Sequence, residues 1–160
     1  MLMQSEAQRL FRYDPKTGKL YWRVSVSRLR AGTEAGTIDR HGYRMILVQG
    51  RKYAGHRVIW LLTHGAWPPE QIDHQNGDRA DNRLVNLRLA THSQNQHNAR
   101  CRVDNVCGVK GVRWRKGKYE AAIAIHNRVI YLGRHTTVEG AHKAYCAAAT
   151  KYHKEFANSG

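Results

Sequence analysis

Cysteine is scarce in this 160-residue chain: Cys101, Cys107 and Cys146 form no CxxC pair, and their number is odd. That argues against a disulfide framework or a four-cysteine zinc site and fits a reducing compartment, with all three as packing or surface thiols. Acidic residues are also few, 12 against 27 Lys and Arg, giving a formal net charge of +15. No run of about 18 apolar residues occurs, so no transmembrane helix is expected. The opening MLMQSEAQRLFRYD lacks the apolar stretch of a signal peptide, so the protein is expected to stay in the compartment where it is made. Hydrophobic residues nevertheless reach 41%, too many for a disordered chain. The length suits one ordinary domain or two small ones.

The positive charge is not confined to a tail. Residues 100–160 hold 12 Lys and Arg against 4 Asp and Glu, and residues 1–99 hold 15 against 8. Such a field attracts polyanions and releases counterions when phosphates are neutralised. An anionic membrane would call for a basic amphipathic helix with a large apolar face, and no segment has one. Nucleic acid is the expected partner. No heptad or apolar patch announces a dimer, so a monomer or weak dimer is expected.

Turn chemistry divides the first seventy or so residues into short strands. Asp14-Pro15-Lys16-Thr17-Gly18 separates LFRY from LYWR, and Gln49-Gly50 separates YRMILV from RKY. HRVIWLLTH, residues 56–64, reads as a short buried helix closed by Gly65 and Pro68-Pro69. A brief strand follows at LRLA, residues 87–90. Thr91 with Gln94 three residues on has the form of a capping box. Residues 100–107 read as a linker. Beyond it comes a three-stranded meander at residues 109–115, 119–125 and 128–132, joined by Lys116-Gly117-Lys118 and His126-Asn127. An alanine-rich helix runs from about 138 to 152, with Thr136 and Glu139 as a second capping box.

Against this basic background, IDHQNGDRADNRLVNLR, residues 72–88, concentrates three aspartates, three asparagines and a histidine. Successive strand residues point to opposite faces, although a strand end can twist Asp73 and His74 into one cleft. Asn95 lies one turn into the following helix. A carboxylate and an amide oxygen are hard donors suited to Mg²⁺, Mn²⁺ or Ca²⁺ and ill suited to zinc. A neutral histidine beside such an ion can take the proton from an attacking water, while the ion screens charge on a phosphate. By residue type alone, a polar turn without a duty remains the alternative. Asp78 and Asp81 are read as turn-stabilising, and His56 and His64 as structural. His92 and His97 are read as solvated or phosphate-contacting.

The run HRVIW…IDHQNGDRADNRLVNLRLATHSQNQHN, residues 56–98, closely resembles the HNH homing-type endonucleases found largely in phages and introns. The resemblance extends back through FRYDPKTGKLYW, GTEAGTI and GYRMILV and so covers most of residues 10–98. It implies an HNH nuclease domain over residues 1–99, with a β-β-α metal motif at about 71–99. By position it implies Asp73 as a metal ligand and His74 as the general base. Asn86 would tie the loop backbone together and help orient the histidine, and Asn95 would be the second metal ligand. Many relatives carry histidine at that last position, and Asn98, at i+3 on the same helical face, is an alternative ligand. The implied cofactor is a divalent ion, Mg²⁺ or Mn²⁺. The implied setting is the cytoplasm of a bacterial host, with the gene carried by a phage.

GVKGVRWRKGKYEAAIAIHNRVIYLGRHTTVEGAHKAYCAAATKYHKEFAN, residues 108–158, resembles the APETALA2-type DNA-binding domain, which also occurs attached to phage HNH nucleases. The resemblance implies a βββα domain whose sheet enters the major groove of double-stranded DNA. By position, Arg113, Arg115, Lys118, Tyr119, Arg128 and Arg134 are the candidate contacts. Alternation puts Arg113 and Arg115 on one face and Val112 and Trp114 on the other, which favours Trp114 as core. Arginine can grip guanine or phosphate in a bidentate manner. The expected fold class is therefore α+β, and the expected function a metal-dependent DNA endonuclease. Its rivals are a DNA-binding regulator with an inactive HNH half and an RNA- or ribosome-binding basic protein.

Overall fold

The computed structural model describes residues 1–99, 101, 104–125 and 128–158. It is mixed α/β, built from small antiparallel sheets and, among the described residues, four α-helices. The chain divides into two compact units, Met1–Thr91 and His92–Gly160.

The first unit begins with a helix, α1 (Gln4–Leu10), that runs straight into a hairpin of β1 (Phe11–Asp14) and β2 (Lys19–Trp22). The helix is only seven residues long and no side chain caps its N-terminus, so the sequence carries little signal for it. The hairpin turn is built as its residues dictate: Asp14 accepts the Lys16 N–H at 3.0 Å and the Thr17 hydroxyl at 2.8 Å. Gly18 then takes φ +72°, and its backbone comes so close to the loop at Asn82 and Arg83 that an added Cβ would lie 2.5 Å from Arg83 N. A three-stranded sheet follows, from β3 (Thr37–Ile38), β4 (Arg44–Val48) and β5 (Arg51–Ala54). Next comes α2 (Gly55–His64), and Phe11, Leu20, Trp22, Ile46, Val58 and Ile59 from these elements form one buried core. Each such side chain contributes about 1.5–3 kcal/mol by its burial. The unit ends with the antiparallel pair β6 (Gln71–His74) and β7 (Leu87–Ala90).

The second unit opens with α3 (His92–Asn98). Its sheet is a meander of β8 (Val112–Arg115), β9 (Lys118–Ile125) and β10 (Arg128–His135). The expected turn at His126-Asn127 lies outside the described residues, as do Arg100, Arg102 and Val103 of the expected linker. β10 runs three residues beyond the expected end at Leu132, because a register shift between Tyr131 and Gly133 lets the pairing with β9 resume. One helix, α4 (Val138–His153), covers the sheet. Its N-cap is Thr137, which accepts the Gly140 N–H at 3.1 Å, so capping begins one residue later than the Thr136–Glu139 pattern suggests. The alanines bring the helix close: Ala141 packs with Val112 and Ala121, and Ala148 and Ala149 pack with Ile123. Gly111, at φ +75°, lies against Tyr145, where an added Cβ would fall 1.9 Å from a ring carbon.

Candidate active site

Asp73 and His74 close strand β6, and both are 4% exposed. Strand register sets Asp73 opposite Arg88 and His74 opposite Leu87. Alternation then gives the two side chains different neighbours. Arg88 directs Nε and a terminal nitrogen onto Asp73 Oδ2, at 2.9 and 2.8 Å. His74 Nε2 lies 3.0 Å from Asn82 Oδ1, and Asn82 is only 2% exposed. The His74 ring also meets the ring of His56 edge-on, with centroids 5.1 Å apart, and that of Tyr43 at 6.0 Å.

Burial pushes the His74 pKa below its ordinary value, against the opposing pull of the Asn82 hydrogen bond and of the Asp73, Asp78 and Asp81 carboxylates. His56 is driven further, to about 3, first by burial and then by the charges of His74 and Arg57. Its Nδ1 is buried without a hydrogen-bond partner among the described residues. Read from sequence as merely structural, His56 forms part of the wall around the His74 ring.

The loop between the strands is knitted by its own side chains. Asn86 accepts the Asn76 N–H at 3.0 Å and donates to the Asp81 carbonyl at 2.8 Å. Asp78 accepts the Ala80 N–H, and Asp81 holds the Arg83 guanidinium at 2.7 and 2.6 Å, which keeps the Asp81 pKa near 2. Asp78 and Asp81 are thus engaged within the turn, the place the sequence reading gave them. Asn82 was missed. Nothing in a polar run distinguishes a buried amide from a solvated one, and its burial depends on Tyr13 and Gly18, which stand far away in sequence.

Asn95 is half-buried on α3, in the second unit, and Asn98 on the same helix is 5% exposed. The second unit holds this helix firmly. Lys110 Nζ donates to the His97 and Ala99 carbonyls, the latter at 2.6 Å, and the Asn158 amide donates to the Asn98 carbonyl at 2.7 Å. His97 stacks on His153 with centroids 3.6 Å apart.

On the sheet of the second unit, Arg113, Glu120 and Arg134 lie in one row across β8, β9 and β10. Glu120 is buried and takes Arg113 on one oxygen, at 3.0 and 2.9 Å, and Arg134 on the other, at 3.3 Å. Arg115 and Lys118 pair on the next row of that face. Tyr119 is set apart from them: it packs with the core of the helix-facing side and meets Trp114 edge-on at 4.6 Å. Arg128 is exposed and sits on the row of Ile125. Trp114 alternates as expected, but near the strand's end it is 53% exposed, so it is not the core residue that alternation favoured.

Among the described residues, no group of three or more His, Cys, Asp and Glu could hold a metal ion. Each unit carries one hard oxygen donor of the expected kind, the Asp73 carboxylate on β6 in the first and the Asn95 amide on α3 in the second. That chemistry fits Mg²⁺ or Mn²⁺, since Mg²⁺ commonly takes one or two carboxylates and completes its shell with water and substrate phosphates.

The chain is 36% identical over 62 residues to Protein 3.8 of Escherichia phage T7, a stretch covering 38% of this chain and 51% of that protein. The chain therefore spans about half the length of this curated relative. No solved structure matches. Residues 53–97, from β5 through strand β6, which bears Asp73 and His74, to helix α3, match the model of the HNH endonuclease family.

Proposed function

We propose that the chain is a metal-dependent DNA endonuclease of the HNH homing type, with the nuclease motif ending in α3 and residues 108–158 serving DNA recognition. The observation that carries this reading is the buried Asp73-His74 pair at the end of β6, within the segment matching the HNH endonuclease family. His74 acts as general base and removes the proton from the attacking water. Its lowered pKa keeps the ring neutral and ready to accept at neutral pH. Asn86 holds the loop that follows His74 in one shape through its two hydrogen bonds. Asp73 and Asn95 would hold the divalent ion. When bound, such an ion supplies charge neutralisation at the phosphate and the leaving oxygen.

Arg113, Arg115, Lys118 and Arg134 line one sheet face of the second unit, and that face is assigned to double-stranded DNA. Tyr119 and Arg128 stand apart from this row and are assigned a lesser part. No helix among the described residues is long and apolar enough to cross a membrane. The proposed setting is the cytoplasm of a bacterial host, with the protein acting as a monomer or weak dimer.

A second reading, a DNA-binding regulator with an idle nuclease half, draws on the Arg88 fork that already occupies Asp73 Oδ2. Incubation of supercoiled plasmid with Mg²⁺ or Mn²⁺, with and without EDTA, separates the two. Cleavage that EDTA abolishes and His74→Ala reduces by about 10²–10⁴-fold supports the nuclease. DNA binding without any metal-dependent cleavage supports the regulator.

A further inference from the structure

A hydrogen bond between a buried amide oxygen and a buried imidazole nitrogen bears on where that imidazole keeps its proton. Asn82 and His74 are both almost wholly enclosed, and their side chains meet at 3.0 Å through Oδ1 and Nε2. An amide oxygen only accepts, so the imidazole nitrogen facing it must donate. We propose that Asn82 is a positioning residue for His74, fixing the neutral ring as the Nε2–H tautomer so that the lone pair taking a proton from water sits on Nδ1. This deepens the nuclease reading and rests on it for the meaning of that proton.

Asn82 is itself held in place. Its carbonyl accepts the Tyr13 hydroxyl at 3.2 Å, and the same hydroxyl oxygen accepts the Leu84 N–H at 3.2 Å, so one tyrosine bridges the peptides on either side of Arg83. The close approach of Gly18 leaves this segment no room to retreat toward the β1–β2 turn. Asp81 and Arg83 lock the flanking side chains to each other. Among the described residues the Asn82 side chain makes this one hydrogen bond, so its assigned partner is His74 and not the loop backbone. The edge of His56 and the ring of Tyr43 flank the imidazole, which limits ring rotation as an escape from the arrangement. The Asn86 side chain, by contrast, ties backbone to backbone and touches the loop instead of the ring. An amide turned end for end would present a donor and reverse the tautomer, and this can be read directly.

The experiment uses the full chain, ¹⁵N-labelled and metal-free, at about pH 8, above the ordinary histidine range. Long-range ¹H–¹⁵N correlation spectra distinguish the two neutral tautomers, and the His74 signals are assigned by their loss in His74→Gln. The expected pattern for His74 is Nε2–H; an Nδ1–H pattern overturns the proposal. Asn82→Leu, which keeps the volume and removes the acceptor, is expected to lose the single-tautomer pattern. Its kcat for plasmid cleavage should drop about tenfold or more, within the range a general base supplies, at unchanged KM for DNA. Asn82→Asp, which restores an oxygen acceptor, is expected to keep Nε2–H and most of kcat. An Asn82→Leu chain with the wild-type tautomer and kcat overturns the proposal. If that variant does not fold, the wild-type and Asn82→Asp spectra decide. A wild-type chain that cleaves no DNA removes the nuclease reading but leaves the tautomer assignment to be decided by the spectrum alone.

Discussion

Arg88 sets two nitrogens on a single oxygen of Asp73, at 2.9 and 2.8 Å, across the paired strands that end at the site. Both side chains are largely buried. Removing one partner of a buried ion pair costs about 3–5 kcal/mol, because the remaining charge is left stranded in a poor solvent. Arg88→Leu is expected to lose stability of that order in urea titrations. Mn²⁺ should recover part of the loss, since an ion bound only by the folded chain stabilises it by mass action. A variant whose midpoint ignores Mn²⁺ would count against Asp73 as a metal ligand.

The wall around His74 makes stability depend on pH. In the folded chain His56 stays neutral down to about pH 3, whereas an unfolded histidine titrates near 6.5. Between those values the unfolded chain binds a proton that the folded chain refuses. The contribution from His56 is therefore complete above about pH 6.5 and is lost as pH falls toward 3, at up to about 1.4 kcal/mol per unit. His74, also shifted down, adds in the same direction. Urea midpoints measured from neutral to acid pH should fall accordingly. His56→Phe should flatten the slope; an unchanged slope would assign the dependence to other groups.

Lys110 makes a further prediction concrete. Its ammonium ties down two carbonyls at the end of α3, and each such bond contributes roughly 1 kcal/mol. Lys110→Met, which keeps the apolar stem, is expected to speed amide hydrogen exchange across α3 while leaving β9 unchanged. If Asn95 is a metal ligand, calorimetric titration should also show weaker Mn²⁺ binding. Unaltered exchange in α3 would mean that His153 and Asn158 hold the helix without help.

The arginines around Glu120 can be tested by salt. Each phosphate contact that is lost should lower the slope of log affinity against log salt by about 0.9 on duplex DNA. Arg113→Ala and Arg134→Ala are each expected to show that change, and Tyr119→Ala, on the helix-facing side of the sheet, is not. Equal effects from all three would place the DNA elsewhere on the second unit.

Much of the scaffold was legible because local chemistry dictates it. Asp14 and Thr17 build the first turn that their spacing announces, and Gln49-Gly50 and the apolar run of α2 behave likewise. The Asp73-His74 strand end and the loop tied by Asn86 follow the order of the motif that carries them. What escaped is set by distant partners. The burial of Asn82, the closeness of His56 to His74 and the exposure of Trp114 all depend on neighbours brought in by other elements. Alternation gave the side of the sheet for Trp114 but not how far cover extends along the strand. The helix start at Thr137 escaped for a smaller reason: two adjacent threonines could each have served as cap.

The clasp of Tyr13 and Gly18 on the Asn82 segment bears on how portable this motif is. The segment matching the HNH family begins at residue 53, yet the hydroxyl that bridges Asn82 and Leu84 comes from 71 residues before Leu84. A transplant cut at the boundaries of the match would carry Asp73, His74 and Asn82 into a new host and leave their brace behind. The transferable unit is accordingly the longer piece that begins with the β1–β2 hairpin. With Asn82 positioning His74 as proposed, sequence variation in that hairpin would reach the histidine through one amide.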